Sequence, residues 1–128
     1  MKKHIKPTES ELEVLQILWE KGACSVREVH EVQNQKREIG YTTTLKIMQL
    51  MYEKGMIDRQ ESGKMHIYTA LVTEADTQGQ LLERFVDSVF KGSAMKLVMQ
   101  ALGNKKTSTD ELAQIKKLID DMEKGGDQ

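Results

Sequence analysis

Apolar residues recur at three- and four-residue intervals through most of the chain, and nearly every such stretch opens on a recognisable helix start. Leu12, Leu15, Leu18 and Trp19 form the first stripe. Thr8 precedes it, with Glu11 three residues on. This is a capping box: the hydroxyl accepts from an early backbone N–H, and the carboxylate accepts from the N–H of the cap residue. Gly22 ends the stripe. Ser25 with Glu28 repeats the box, and Val26, Val29 and Val32 predict a second helix. The polar stretch from Gln33 to Gly40 closes that helix and turns the chain. A third helix is expected from about Tyr41 to Lys54, stopping at Gly55 in the C′ position.

The period then changes. Met56 to Glu61 and Met65 to Leu71 are short segments of mixed or alternating character around Ser62-Gly63, which reads as a two-residue hairpin loop. After Leu71 the helical period returns. Thr73 with Asp76 caps a long helix bearing Leu82, Phe85, Val86, Val89 and Phe90. Ser93 starts a shorter one with Met95, Val98, Met99 and Leu102, ended by Gly103. Ser108 with Glu111 caps the last, with Leu112, Ile115, Ile119 and Met122, and the chain should fray from Gly125.

Three helices, a hairpin and three more helices make a mainly α protein with a small β-hairpin. The first part has the order of a winged helix-turn-helix, a DNA-binding domain expected over residues 1–72. The remainder, 73–128, is expected to be a three-helix dimerisation domain. Leu112, Ile115, Ile119 and Met122 step by 3, 4 and 3, the seam spacing of paired helices. Leu82, Phe85, Val86, Val89 and Phe90 add an apolar face too large for one helix to bury. Both surfaces are expected to close on a second copy, giving a homodimer.

Composition narrows the class. The 128 residues exclude a large multi-domain enzyme. No apolar run is long enough to span a membrane, and the start MKKHIKPTE has no apolar stretch after its lysines, so neither a membrane nor a secretory signal is expected. One cysteine, Cys24, cannot form an internal disulfide; it suits a reducing cytoplasm and excludes a multi-cysteine zinc site in one chain. The net charge of −1 argues against a simple polybasic nucleic-acid binder. Distribution matters more: from Ile39 to Tyr52 there is no acid, and Lys46 is the only charge.

That acid-free segment is the third helix. On it Thr42, Lys46, Gln49 and Glu53 form one exposed stripe, while Leu45, Met48, Met51 and Tyr52 face the core. The first turn carries Thr42, Thr43 and Thr44. A helix N-terminus offers free N–H groups and a partial positive charge to a phosphate, and hydroxyls add donors. Thr can touch a thymine methyl and Gln can pair with adenine. Such a helix suits the major groove, entered N-terminus first. The hairpin tip offers Lys64 and His66 to the DNA backbone or minor groove. An ordinary polar surface helix would share much of this pattern. A winged-helix module that binds protein instead of DNA is the alternative function, though a protein-binding stripe more often has an apolar or mixed-sign face.

Other chemistry is thinner. His4, His30 and His66 are too far apart in sequence to form a metal site locally, and no metal or cofactor is expected. Cys24 sits beside a helix start, where a thiol can be activated, but a buried structural cysteine is the commoner case. Met48, Met51, Met95, Met99 and Met122 occupy helical core positions and read as core filling rather than as a copper site. No phosphate-binding loop, nucleophile elbow or carboxylate pair points to an enzyme.

Thr8-Glu9-Ser10-Glu11-Leu12-Glu13-Val14-Leu15 with Ile17-Leu18-Trp19 resembles the first helix of the penicillinase and methicillin-resistance repressor family (BlaI/MecI). Gly40-Tyr41-Thr42-Thr43-Thr44-Leu45 and Tyr52-Glu53-Lys54-Gly55-Met56-Ile57 resemble its third helix and exit, and Val89-Phe90-Lys91-Gly92 its link between dimerisation helices. The resemblance implies a homodimeric winged-helix repressor of transcription that reads a palindromic operator. It also implies that Tyr41, Thr42, Thr43 and Lys46 lie on the DNA; Gln49 rests on the stripe alone. Two departures stand out. Antibiotic-responsive members are inactivated by cleavage at an Asn-Phe bond, where this chain has Gln100-Ala101. A copper-responsive branch carries paired Cys-x-Cys motifs, which this chain lacks. The inducing signal stays open.

Overall fold

The computed structural model describes residues 6–104 and 106–125. The element order is α1 (Glu9–Lys21), α2 (Val26–Lys36), α3 (Tyr41–Glu53), β1 (Ile57–Ser62), β2 (Met65–Ala70), α4 (Glu74–Val89), α5 (Ala94–Asn104) and α6 (Thr109–Gly125). The fold is the expected one: mostly helical, with a single antiparallel hairpin among the described residues. Both early capping boxes form. Glu11 N–H donates to Thr8 Oγ1 at 3.2 Å and Thr8 N–H to Glu11 Oε1 at 2.9 Å. The Ser25/Glu28 pair repeats these distances. Ser108 and Glu111 cap α6 in the same way.

The chain divides into two compact units, Met1–Arg84 and Phe85–Gln128. The division falls inside α4, twelve residues beyond the expected break between 72 and 73. The start of α4 falls in the first unit, and Thr77 on it is buried.

In the first unit, one face of each of α1, α2 and α3 meets the hairpin. Val14, Leu15, Leu18, Val29, Met48, Met51, Ile57 and Tyr68 form the centre of the core. Trp19 packs on its edge, and its indole N–H donates to Val72 O at 2.9 Å, tying α1 to the end of the wing. Cys24 adds a short third rung to the sheet: its N–H donates to Tyr68 O at 3.0 Å, and Tyr68 N–H donates to Cys24 O at 2.7 Å. Its side chain is buried, and burial, with Glu28 assisting against Lys21, pushes the thiol above its ordinary pKa. This is the structural cysteine, not the activated one.

The hairpin turns one residue later than the sequence suggests. Ser62 pairs with Met65, so the loop is Gly63-Lys64. Gly63 has φ 65°. A two-residue loop of this kind needs positive φ at its first position, which glycine supplies without strain and Ser62 would not.

In the second unit, Val86 is the one buried hydrophobic side chain among the described residues; α5 and α6 bury none. Val86, expected on the shared dimer face, is thus already covered within one chain. Phe90 is partly covered, its ring edge-to-face with Phe85 at 5.7 Å. Lys91 (φ 52°) and Gly92 (φ 85°) turn the chain out of α4 through the left-handed region. Helix α5 runs through Gly103 to Asn104 and contains Gln100 and Ala101, both exposed. The methionines split. Met48 and Met51 fill the core, but Met95, Met99 and Met122 are 75%, 70% and 65% exposed. Helical spacing marks an apolar face and does not say what covers it.

Candidate nucleic-acid interface

Helix α3 begins at Gly40, which has no side chain to cap it. Backbone bonds alone close the first turn: Thr43 N–H and Thr44 N–H reach Gly40 O at 3.1 and 3.3 Å. The amides of Tyr41 and Thr42 have no acceptor within the helix, so this end stays open to an anion. Tyr41, Thr42, Thr43, Lys46 and Gln49 are all exposed; Thr42, Lys46 and Gln49 share one stripe, with Tyr41 and Thr43 on either side of it in the first turn. No acid lies in its first turn.

Two expected faces of α3 need correction. Thr44 does not join Thr42 and Thr43 at the surface. It is fully buried, and its hydroxyl donates to Gln33 Oε1 at 2.6 Å. Tyr52 does not face the core. It is 37% exposed, with the Arg59 guanidinium 4.1 Å from the ring centroid. A cation over an aromatic face keeps both groups at the surface and ties β1 to the end of α3.

The turn between α2 and α3 is pinned by residues that sequence reading passed over. His30 Nε2–H donates to Ile39 O at 2.7 Å, and the ring meets Tyr41 edge-to-face at 5.8 Å. Ile39 N–H reaches Asn34 Oδ1 at 3.4 Å. His30 is therefore engaged in the turn. His66 lies on the wing, 3.9 Å from Glu61, and His4 falls outside the described residues. Among the described residues no group of three His, Cys, Asp or Glu side chains could hold a metal ion.

Behind the helix runs a polar chain. Gln33 Nε2–H donates to Glu13 Oε1 at 2.8 Å, and Arg37 donates to the same oxygen at 2.7 Å. With the Thr44 bond this links α1, α2 and α3. The signal for it was present: Gln33 continues the Val26–Val29 face at the next helical step, a polar residue in a core stripe. A second clip joins α1 to the end of α3. Lys54 Nζ lies 2.7 Å from Glu11 Oε2. Burial raises the Glu11 pKa, but Lys54 and the bonds to Thr8 outweigh it, and the carboxyl is held below its ordinary value.

The wing carries Lys64 in its loop and His66 on β2, both at least partly exposed. The expected interface residues of the second unit are also largely uncovered. Leu82, at the end of the first unit, Phe85, Val89, Leu112, Ile119 and Met122 are 42–65% exposed, and Ile115 is intermediate. No helix among the described residues is long and apolar enough to cross a membrane.

Comparison with known proteins gives these features a context. The chain is 28% identical over 110 residues to the methicillin resistance regulatory protein MecI of Mammaliicoccus sciuri, covering 86% of this chain and 89% of that one. It is 24% identical over 123 residues to the penicillinase repressor of Staphylococcus aureus, covering 95% and 97%. The solution structure of monomeric BlaI from Bacillus licheniformis, in complex with the blaP half-operator, matches with a TM-score of 0.51 at 24% identity. It covers 59% of this chain and 93% of that one, and the likeness shows the fold. The family model described as penicillinase repressor matches residues 7–121. With that match over a winged helix whose third helix begins uncapped, the chain belongs to the penicillinase repressor family, which are transcriptional repressors and not enzymes.

Proposed function

We propose that this protein represses transcription as a homodimer on a palindromic operator, with α3 in the major groove. The observation that carries the reading is the open, acid-free N-terminal face of α3, on which Tyr41, Thr42, Thr43, Lys46 and Gln49 are exposed together. Free amides and hydroxyls there suit phosphate oxygens. Lys46 supplies charge, and Thr and Gln supply base-edge contacts. A relative with the same winged-helix fold was solved in complex with a half-operator, which supports DNA as the partner. Lys64 and His66 on the wing extend the contact along the backbone.

The homodimer rests on the second unit. A segment that buries so little of its own apolar surface has too little core to hold itself together in water. Phe85, Val89, Phe90, Leu112, Ile115, Ile119 and Met122, with Leu82 before them, present the surface that a two-fold partner covers. The exposed α5 residues Met95, Val98, Met99 and Leu102 belong to the same surface.

The test is selection of binding sites from a pool of random DNA duplexes, followed by gel-shift titration at two salt concentrations. An inverted-repeat site and steep salt dependence are expected. Failure to enrich any duplex would overturn the reading.

A further inference from the structure

The starts of α2 and α3 and the loop and second strand of the wing border a cleft of about 450 Å³. Arg27, Tyr41, Lys64 and His66 line it, over Leu45 and the buried Tyr68. Among the described residues no carboxylate lines it. Of the two acids close by in sequence, Glu28 accepts from the Ser25 N–H at 2.9 Å at the start of α2, and Glu61 lies 3.9 Å from His66 at the edge of the cleft. Three side chains able to carry positive charge thus converge, from two separate parts of the chain, on one recess.

Arg27 is the unassigned member. Arg37 is paired with Glu13, Arg59 is stacked on Tyr52, and Lys54 is paired with Glu11. Arg27 is exposed at the cleft, and among the described residues it has no carboxylate partner. A guanidinium held in this way beside a lysine and an imidazole matches the two oxygens of a phosphodiester. The cleft is also continuous with the face of α3 through Tyr41, and with the wing through Lys64.

We propose that this cleft seats a backbone phosphate of the operator, and that Arg27 is a DNA-contact residue. The strand that borders the groove would be gripped between α2 and the wing, which sets how deeply α3 enters. The inference rests on the DNA-binding reading above, and its test separates the two.

The probe is the duplex that the wild-type chain selects from the random pool. Full-length Arg27→Ala is compared with wild type and with Lys21→Ala, an exposed cation outside the cleft, after matching thermal melts establish that each is folded. Arg27→Ala is expected to weaken binding roughly five- to tenfold on specific and non-specific duplexes alike, and to lower the salt slope by about one. Lys21→Ala should leave both unchanged, and Arg27→Lys should restore the slope. Neutral methylphosphonate links are then placed one at a time along the site. One position should weaken the wild type and have no further effect on Arg27→Ala. If wild type selects a duplex and Arg27→Ala binds it with the same affinity and slope, the cleft does not hold backbone phosphate. The same conclusion follows if inorganic phosphate alone saturates the cleft while DNA binding ignores Arg27. If wild type selects no duplex, the function itself falls, and this inference with it.

Discussion

The hydroxyl of Thr44 donates to the side-chain carbonyl of Gln33 at 2.6 Å, and both side chains are fully buried. The bond ties α3 to α2 in the core and turns Thr44 inward, while Thr42 and Thr43 stay exposed. Replacing Thr44 by Val keeps the shape and leaves the Gln33 carbonyl without its donor in the core. The expected cost is about 1–3 kcal/mol, because a buried acceptor loses its partner. Replacing Gln33 by Leu alone strands Thr44 and also removes a donor to Glu13. The double variant should therefore lose less than the two single losses added together. Chemical denaturation of the four proteins measures the coupling; strict additivity would mean that the two groups act independently.

Gly40 leads to a sharper trade. Its φ is −75°, and a Cβ there would meet only Thr43 Oγ1, at 3.9 Å, so other residues fit. Its value lies in leaving the helix end uncapped. Gly40→Asp would place a carboxylate on those amides and favour the helix dipole. Stability should rise by a few tenths of a kcal/mol. Binding to the selected duplex should fall at least tenfold, because the carboxylate occupies and repels the site of a phosphate. A variant that is both more stable and equally tight would remove the end of α3 from the interface.

Lys46 and Thr43 test the same face from the side-chain direction. Lys46 is the only charge between Ile39 and Tyr52, and Thr43 lies one turn earlier. Lys46→Ala is expected to weaken binding by at least ~1 kcal/mol. If it acts on phosphate, the loss is uniform across sequences and the salt slope drops by about one. Thr43→Ala should relax preference at one position per half-site if it touches a base. Gel-shift titrations on the selected site and single-base variants read both, and unaltered affinity in both proteins would move the contact surface elsewhere.

What was legible in the sequence was local. The capping boxes at Thr8, Ser25 and Ser108 involve partners three residues apart, so their geometry follows from spacing. The order of helices and wing, and most of the exposed face of α3, came from the same short-range logic. What was hidden depends on distant partners. Thr44 looks identical to Thr42 and Thr43 until Gln33 is brought beneath it. Tyr52 has core spacing, yet Arg59 across the turn holds it at the surface. The loop at Gly63-Lys64 is set by the pairing of Ser62 with Met65, which the two strands fix together. Arg27 gave no signal in its own helix, because its cleft is completed by the wing.

Glu11 makes the stability of the first unit depend on pH. Its carboxyl is held below its ordinary value in the folded chain, chiefly against burial and by Lys54. A carboxyl with a depressed folded pKa contributes stability that is full above its unfolded value and is lost as pH falls through the folded one. Glu11→Gln should therefore destabilise the protein at pH 7 by about 1–3 kcal/mol, through loss of a charged hydrogen bond. The gap between variant and wild type should narrow progressively below about pH 4.5, the ordinary value of this group. Denaturation curves at several pH values would show it. A gap that stays constant down to the acid limit would mean that the charge of Glu11 contributes nothing.

The last prediction concerns where the chain can be cut. The compact first unit ends at Arg84, and Thr77 is already buried within it. A fragment ending at residue 84 should therefore fold more stably than one ending at 72, which lacks the buried start of α4. Neither fragment retains the apolar face from Phe85 to Met122, so both should sediment as monomers, while the intact chain sediments as a dimer. Loss of the second copy turns the second half-site contact from intramolecular into bimolecular. Affinity for the full inverted repeat should then fall by roughly 10²–10⁴ while half-site binding persists. In the intact chain, Ile119→Lys places a charge on the exposed seam of α6 and should reproduce the monomer without touching the winged helix. A monomeric Ile119→Lys protein that binds the full site as tightly as wild type would mean that dimerisation does not set operator affinity. A variant that stays dimeric would place the two-fold interface on another face of the second unit.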